Sequence, residues 1–218
     1  MYKEILKYTK DHGVMLVAVS KTRSADDIMK LYNEDQRIFG ENKVQELTEK
    51  YNLLPKDIKW HLIGHLQSNK VKYIAPFIDM IESVDSEDLI YMIDKEGRKN
   101  NRVISVLLQF HIAAEESKFG LNLPDAKNLL TNILHKYNLS HVRICGVMGM
   151  ATFTEDIQQL RDEFKSLKTI FNFLKENYFV EDDHFKEISM GMSGDYEIAI
   201  AEGSTMVRIG SAIFGVRS

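Results

Sequence analysis

The chain has 218 residues, 44% of them hydrophobic and 28% charged, with a formal net charge of −4. That is enough apolar material for one large core or two small ones. A net negative chain with no Lys/Arg cluster lacks the basic face that nucleic-acid backbones require. One cysteine, Cys145, can form neither an intrachain disulfide nor a CxxC metal site, which points to a reducing, cytoplasmic setting. No apolar run approaches the ~20 residues that span a bilayer, and the charged, amphipathic residues 1–13 read as a helix, not a leader.

In chain order, β-like apolar runs fall near 14–19, 37–39, 58–63, 78–81, 103–109, 141–147, 185–189 and 206–209. Several are almost continuously apolar, as in parallel strands covered on one face by helices. Between them lie helical patterns over 25–34, 43–53, 67–75, 86–99, 124–137, 155–175 and 195–202. The clearest is 155–175, where Ile157, Leu160, Phe164, Leu167, Ile170, Phe171 and Leu174 recur at three- and four-residue steps. Ser24 and Ser86 stand where N-caps belong, and Pro124-Asp125 suits a first turn. Strict alternation of eight strands with helices predicts an α/β fold, a single (β/α)8 TIM barrel over residues 1–218 with an additional N-terminal helix. An open doubly wound sheet is the alternative. It usually carries a glycine-rich turn after its first strand, where this chain has Ser20-Lys21-Thr22-Arg23.

Barrel chemistry sits on the loops after the strands. Lys21 directly follows the first apolar run. Desolvation at a strand mouth favours a neutral amine, which imine formation with an aldehyde needs; a surface lysine opening a loop would read the same way. Ser193-Gly194 and Gly210-Ser211 follow the seventh and eighth runs, where barrels often bind phosphate on backbone amides and hydroxyls. Ordinary N-capping by Ser193 and Ser211 is the plainer reading. Alternation in the last run puts Met206, Arg208 and Gly210 on one face, with Val207 and Ile209 on the other. A cation inside a barrel needs an acceptor, either a ring nitrogen of a cofactor or a carboxylate such as Glu41. His12, His135, His141 and His184 lack metal-ligand spacing, so no metal is expected. Trp60 reads as packing, the methionines as pocket and core filling, and Glu115, Glu116, Asp182 and Asp183 as solvated charge.

Seven stretches together, LVAVSKTR (16–23), IFGENKVQE (38–46), WHLIGHLQSNK (60–70), ESKFG (116–120), GVMGMA (146–151), SMGMSGD (189–195) and GSTMVRIGSAIFG (203–215), resemble the pyridoxal phosphate homeostasis protein family of the YggS/PROSC type. That family is similar to the N-terminal barrel domain of alanine racemase. The resemblance implies that Lys21 holds pyridoxal 5'-phosphate as a Schiff base, and that Ser193, Gly210 and Ser211 bind the phosphate. It implies that Arg208 faces the pyridine nitrogen and that Asn42, His65 and Met190 lie near the cofactor, with Gly40, Gly64 and Gly191 as shape residues. Gln109-Phe110-His111 departs from the family pattern, which expects Asn at the end of that strand, so His111 is expected to alter the pocket floor. A guanidinium at the pyridine nitrogen keeps that nitrogen unprotonated and makes it a poor electron sink. The chain also ends at Ser218 without the domain that supplies the racemase's second base. The expected role is therefore a cytoplasmic, monomeric carrier that holds the cofactor, limits free aldehyde and passes it transiently to apo-enzymes, with little or no catalysis. A small amino-acid racemase or lyase is the alternative, and a cofactor-free barrel enzyme acting on a sugar phosphate is a third reading.

Overall fold

The computed structural model describes residues 1–115, 119–136 and 139–215. Of the sequence motifs, Glu116–Lys118 lie outside the described residues. Helix α1 (Tyr2–Asp11) precedes the barrel, and its buried Tyr2, Ile5 and Thr9 face inward. Eight parallel strands follow: β1 (Met15–Val19), β2 (Ile38–Glu41), β3 (Lys59–Leu62), β4 (Met80–Val84), β5 (Ile104–His111), β6 (Val142–Met150), β7 (Glu187–Ser189) and β8 (Met206–Ile209). They close in sequence order, with β8 pairing back onto β1 through Met15↔Met206 to Ala18↔Ile209. After the strands, in turn, come α2 (Ala25–Tyr32), α3 (Val44–Leu53), α4 (Val71–Ile74), α5 (Glu87–Lys99), α6 (Leu123–Lys136), α7 (Ile157–Asn177), α8 (Tyr196–Ala201) and α9 (Ser211–Phe214). The expected barrel with an extra N-terminal helix is the one observed; the open sheet is not.

Alternation along each strand sorts side chains into two layers. Outward residues such as Ala18, Phe39, Trp60, Leu62, Val207 and Ile209 are fully buried against the helices. On α7, Leu160, Phe164, Leu167, Phe171 and Leu174 supply the matching stripe; fully burying one such side chain is worth about 1.5–3 kcal/mol. Ile157, included in that stripe on sequence, is 58% exposed, because it opens the helix beyond the barrel wall. Inward, Val17, Met80, Leu107, Cys145, Met148 and Met206 form a separate apolar filling.

Two boundaries differ from the sequence reading for a physical reason. The apolar run near 78–81 extends as a strand to Val84, because Glu82 and Ser83 are buried and hydrogen-bonded instead of opening a loop. The helix expected over 67–75 is a 3-10 turn (Ser68–Lys70) running into the four-residue α4. Ser24 and Ser86 do cap their helices, accepting from Asp27 N–H and Leu89 N–H.

Candidate functional site

The C-terminal ends of the strands surround a cavity of about 990 Å³. Lys21 enters it from the turn after β1, Asn42 from the end of β2, and His65 from the segment after β3. Gln109 of β5 and Arg208 of β8 form part of its wall, and Ser193, Gly210 and Ser211 line it from the last two loops. Met190 is the exception among the residues picked from sequence. It is fully buried and packs into the apolar layer outside the barrel, one residue past inward-facing Ser189; the methionines that line the cavity are Met150 and Met192. His111 does not line the cavity either. Its ring bonds the Glu115 carbonyl (2.7 Å), while Gln109, turned inward, donates to the Phe119 carbonyl (2.9 Å).

Lys21 sits in a turn whose other members are tightly held. Ser20 Oγ donates to Glu41 Oε1 (2.6 Å), and Thr22 N–H donates to Glu46 Oε1 (2.5 Å). Thr22 has a φ of 65°, in the left-handed region. A β-branched residue there carries strain of about 1–3 kcal/mol that the surroundings must sustain. Behind the turn, Lys50 of α3 donates to Ser20 O, Glu41 Oε1 and Glu46 Oε1, each at 2.7 Å. Burial pushes the Glu41 carboxyl upward in spite of Lys50.

Arg208 is 3% exposed and is fixed at two points, to Ser189 Oγ (2.6 Å) and to the Gly149 carbonyl (2.9 Å). Its carboxylate partner is not Glu41, which faces α3 outside the barrel wall, but Glu82 of β4, at 3.9 Å. Ser189 in turn donates to Glu82 Oε2 (2.6 Å), and Glu82 Oε1 meets His61 Nδ1 (2.7 Å). His61 Nε2 lies 3.6 Å from Asp79, at the opposite, N-terminal end of β4. A column of polar groups thus crosses the barrel interior from Asp79 to the cavity. Burial opposes charge on His61, but the two flanking carboxylates outweigh it and hold its pKa up at about 9. Glu82 shows the reciprocal effect: burial would raise it, and His61 with Arg208 brings it below the usual carboxylate range. Burial also pulls the Arg208 guanidinium down from its ordinary value, though arginine keeps its charge.

At the far side of the cavity Ser193 Oγ accepts from Gly210 N–H and Ala212 N–H, both at 3.3 Å. Ser193 is thus not the cap of α8, whose N-cap is Asp195, and Ser211 is the first residue of α9, not its cap. A hydroxyl and two long, weakly engaged amides converge at one spot. Gly210 has no room for a side chain without cost, since a Cβ would stand 3.2 Å from Val19 O. Gly64 is tighter still: its Cβ would meet Asn42 O at 2.5 Å, so glycine there lets the β2 and β3 ends converge on the cavity. The rim adds Phe153, almost wholly exposed, and Phe119, which stacks on His65 with ring centroids 4.4 Å apart. A shallower depression of about 500 Å³ runs along the first turns of α7, among Asp156, Gln159, Asp162, Glu163 and Ser166; no cationic side chain lines it among the described residues.

Sequence reasoning missed Glu82, Lys50 and Glu46. Glu82 had a usable signal, because it alternates with Met80 toward the interior. Lys50 and Glu46 carry no signal in the chain beyond the i,i+4 spacing of an ordinary helix pair.

A parallel barrel with a lysine at the mouth of its first strand and a pinned arginine in its last defines a class of protein. The chain matches the family model described as alanine racemase, N-terminal domain, over residues 2–218 and belongs to that family. Within it, the chain falls among the pyridoxal phosphate homeostasis proteins. The relative of that name from Aquifex aeolicus is 38% identical over 203 residues, covering 93% of this chain and 86% of the relative. The human one is 38% identical over 213 residues, covering 93% and 76%. Among solved structures, PipY of Synechococcus elongatus superimposes without PLP at a TM-score of 0.88, with 33% identity and 97% and 99% of the two chains covered. Its PLP-bound form gives 0.83 at the same identity and coverage. An alanine racemase from Clostridium difficile, 13% identical with a TM-score of 0.71, shares the fold over 97% of this chain and 58% of its own.

Proposed function

We propose that this protein binds pyridoxal 5'-phosphate and serves its homeostasis, holding the cofactor on Lys21 with little or no turnover of substrate. The observation that carries the reading is the convergence of Lys21, Arg208 and the Ser193/Gly210–Ala212 donors on one cavity. The donor set fits the group: an amine for its aldehyde, amides and hydroxyls for its phosphate, a guanidinium for its ring nitrogen. Bound there, the cofactor would supply an aldehyde that condenses reversibly with an amine and releases water.

Each residue then has a task. Lys21 contributes the ε-amine. Ser193, Gly210 and Ser211 donate to the phosphate. Arg208, held by Ser189 and Gly149, presents a fixed cation that stays protonated and leaves the ring nitrogen without a proton. Asn42 and His65 border the ring, and Met190 acts only indirectly, by packing behind the β7 end. Relatives named for pyridoxal phosphate homeostasis and a solved neighbour with PLP bound support this over an enzyme. We extend the reading to a cytoplasmic monomer that hands the cofactor transiently to apo-enzymes.

The test is an absorption spectrum of the purified protein with PLP, before and after borohydride reduction, with mass mapping of the modified lysine. The expected result is one modified site, Lys21, lost in Lys21→Ala. Exchange of an amino acid's α-proton at turnover-like rates would sink the carrier role in favour of a racemase or lyase. Sedimentation at micromolar concentration checks the monomer.

A further inference from the structure

The turn that carries Lys21 is braced from outside the barrel wall. Besides the turn's own bond from Arg23 N–H to Ser20 O (3.0 Å), the residues on either side of it, Ser20 and Thr22, bond partners that do not line the cavity. Ser20 Oγ goes to Glu41 and its carbonyl to Lys50; Thr22 N–H goes to Glu46. These partners are joined at one atom. Lys50 Nζ has three protons and three acceptors at 2.7 Å: Ser20 O, Glu41 Oε1 and Glu46 Oε1. Its side chain is 8% exposed, that of Glu41 is wholly buried and that of Glu46 is 24% exposed. An ammonium this enclosed, with every proton committed, is no solvated surface charge.

We infer that Lys50 is a positioning residue for Lys21, with Glu41 and Glu46 as the two arms of the brace. The inference rests on Lys21 being the cofactor lysine. The physical reason is the backbone at Thr22. Its positive φ is unfavourable for a β-branched residue, and its amide is held by the bond to Glu46. Glu46 is held in turn by Lys50. Without the brace the turn relaxes toward a commoner conformation, and the Lys21 side chain, one residue away, leaves its line into the cavity. Displacements of this kind are expensive for covalent chemistry, on the order of tenfold to a hundredfold in rate.

The experiment compares the intact protein with Lys50→Met, Glu46→Ala and Glu46→Gln. Glutamine keeps an oxygen that accepts from Thr22 and Lys50; alanine keeps none. Borohydride-trapped labelling of Lys21 by PLP gives the capture rate, and amide exchange of the ligand-free protein gives a readout independent of the cofactor. Lys50→Met is expected to capture PLP at least about tenfold more slowly. Its exchange should quicken over 20–23 and stay unchanged in β5 and β6. Glu46→Ala is expected to follow in the same direction, with Glu46→Gln close to the parent. Unchanged capture in both Lys50→Met and Glu46→Ala, or exchange that rises evenly around the barrel, would overturn the inference. Should Lys50→Met fail to fold, the alanine–glutamine contrast at the partly exposed Glu46 decides: equal rates overturn it, a slower alanine supports it. If the intact protein takes no PLP at Lys21, the cofactor reading falls by itself, and the exchange data still judge the brace.

Discussion

Two buried carboxylates stand on the same barrel and are held in opposite ways. Glu41 lies outside the wall, between β2 and α3, with Lys50 and the Ser20 hydroxyl on one oxygen and no hydrogen-bond partner among the described residues on the other. Glu82 lies inside it, with His61 on one oxygen and Ser189 on the other and Arg208 nearby. Both are inaccessible to solvent, yet burial wins at Glu41 and raises its carboxyl, whereas the flanking cations win at Glu82 and lower it. Burial alone does not decide the charge of a carboxylate; the number of partners on its oxygens does. The inner network favours the ionised form of its carboxyl, and the outer one shifts its carboxyl toward the neutral form.

This contrast can be broken by mutation. The largest effect is expected for Glu82→Ala, which leaves His61 and Arg208 buried without their shared anion. A loss of about 3–5 kcal/mol in the unfolding free energy, read by urea denaturation, follows from stranding buried charge. A loss as small as that of a surface substitution would show the column to be incidental. Lys50→Met should cost less, about 1–3 kcal/mol, because Glu41 can take up a proton once its cation is gone. If it costs more than Glu82→Ala, the distinction between the networks is wrong.

The pH dependence sharpens the same comparison. Folding raises the His61 pKa from 6.5 to about 9. The stabilisation it provides is therefore complete below pH 6.5 and lost as pH climbs through about 9, an amount of about 3–4 kcal/mol at most. Glu82, lowered on folding, has the opposite sign: its contribution is present above the ordinary carboxylate range and is lost on acidification. Thermal melts of the ligand-free protein should thus decline by several degrees between pH 6.5 and 9. That decline should vanish in His61→Gln; its persistence there would place the titration elsewhere. The smallest effect belongs to a site in neither network. Ser24→Ala removes the side-chain cap of α2 and should cost about 1 kcal/mol, with no change in the pH profile.

How much of this was legible beforehand differs by residue. All eight strands could be placed from apolar runs, because an outer wall covered by helices demands them. Period-two alternation also assigned Met206, Arg208 and Gly210 to the inside of β8, where Met206 and Arg208 are buried and Gly210 meets the cavity. The strand-end rule brought Lys21, Ser193 and Ser211 to one cavity and the family resemblance added Asn42 and His65, as the structure does. The resemblance puts Met190 near the cofactor, whereas the structure turns it outward, because a shift of one residue in a strand reverses the face. Alternation left the partner of Arg208 open between a ring nitrogen and a carboxylate such as Glu41, and the carboxylate near it is Glu82, which looks like Glu41 along the chain.

What the sequence determined by itself, then, was local and periodic: element type, the inward face of a strand, and the ends at which chemistry gathers. Those follow from the backbone's own repeat and from the need to bury apolar surface. Only the tertiary structure decided which buried charges meet. It brought β4 beside β3 so that His61 faces Glu82, set Ser189 between Glu82 and Arg208, and laid α3 against the β1 turn so that Lys50 reaches Ser20. Pairings across 19 to 107 residues depend on barrel closure and shear, which carry no local signature in the chain.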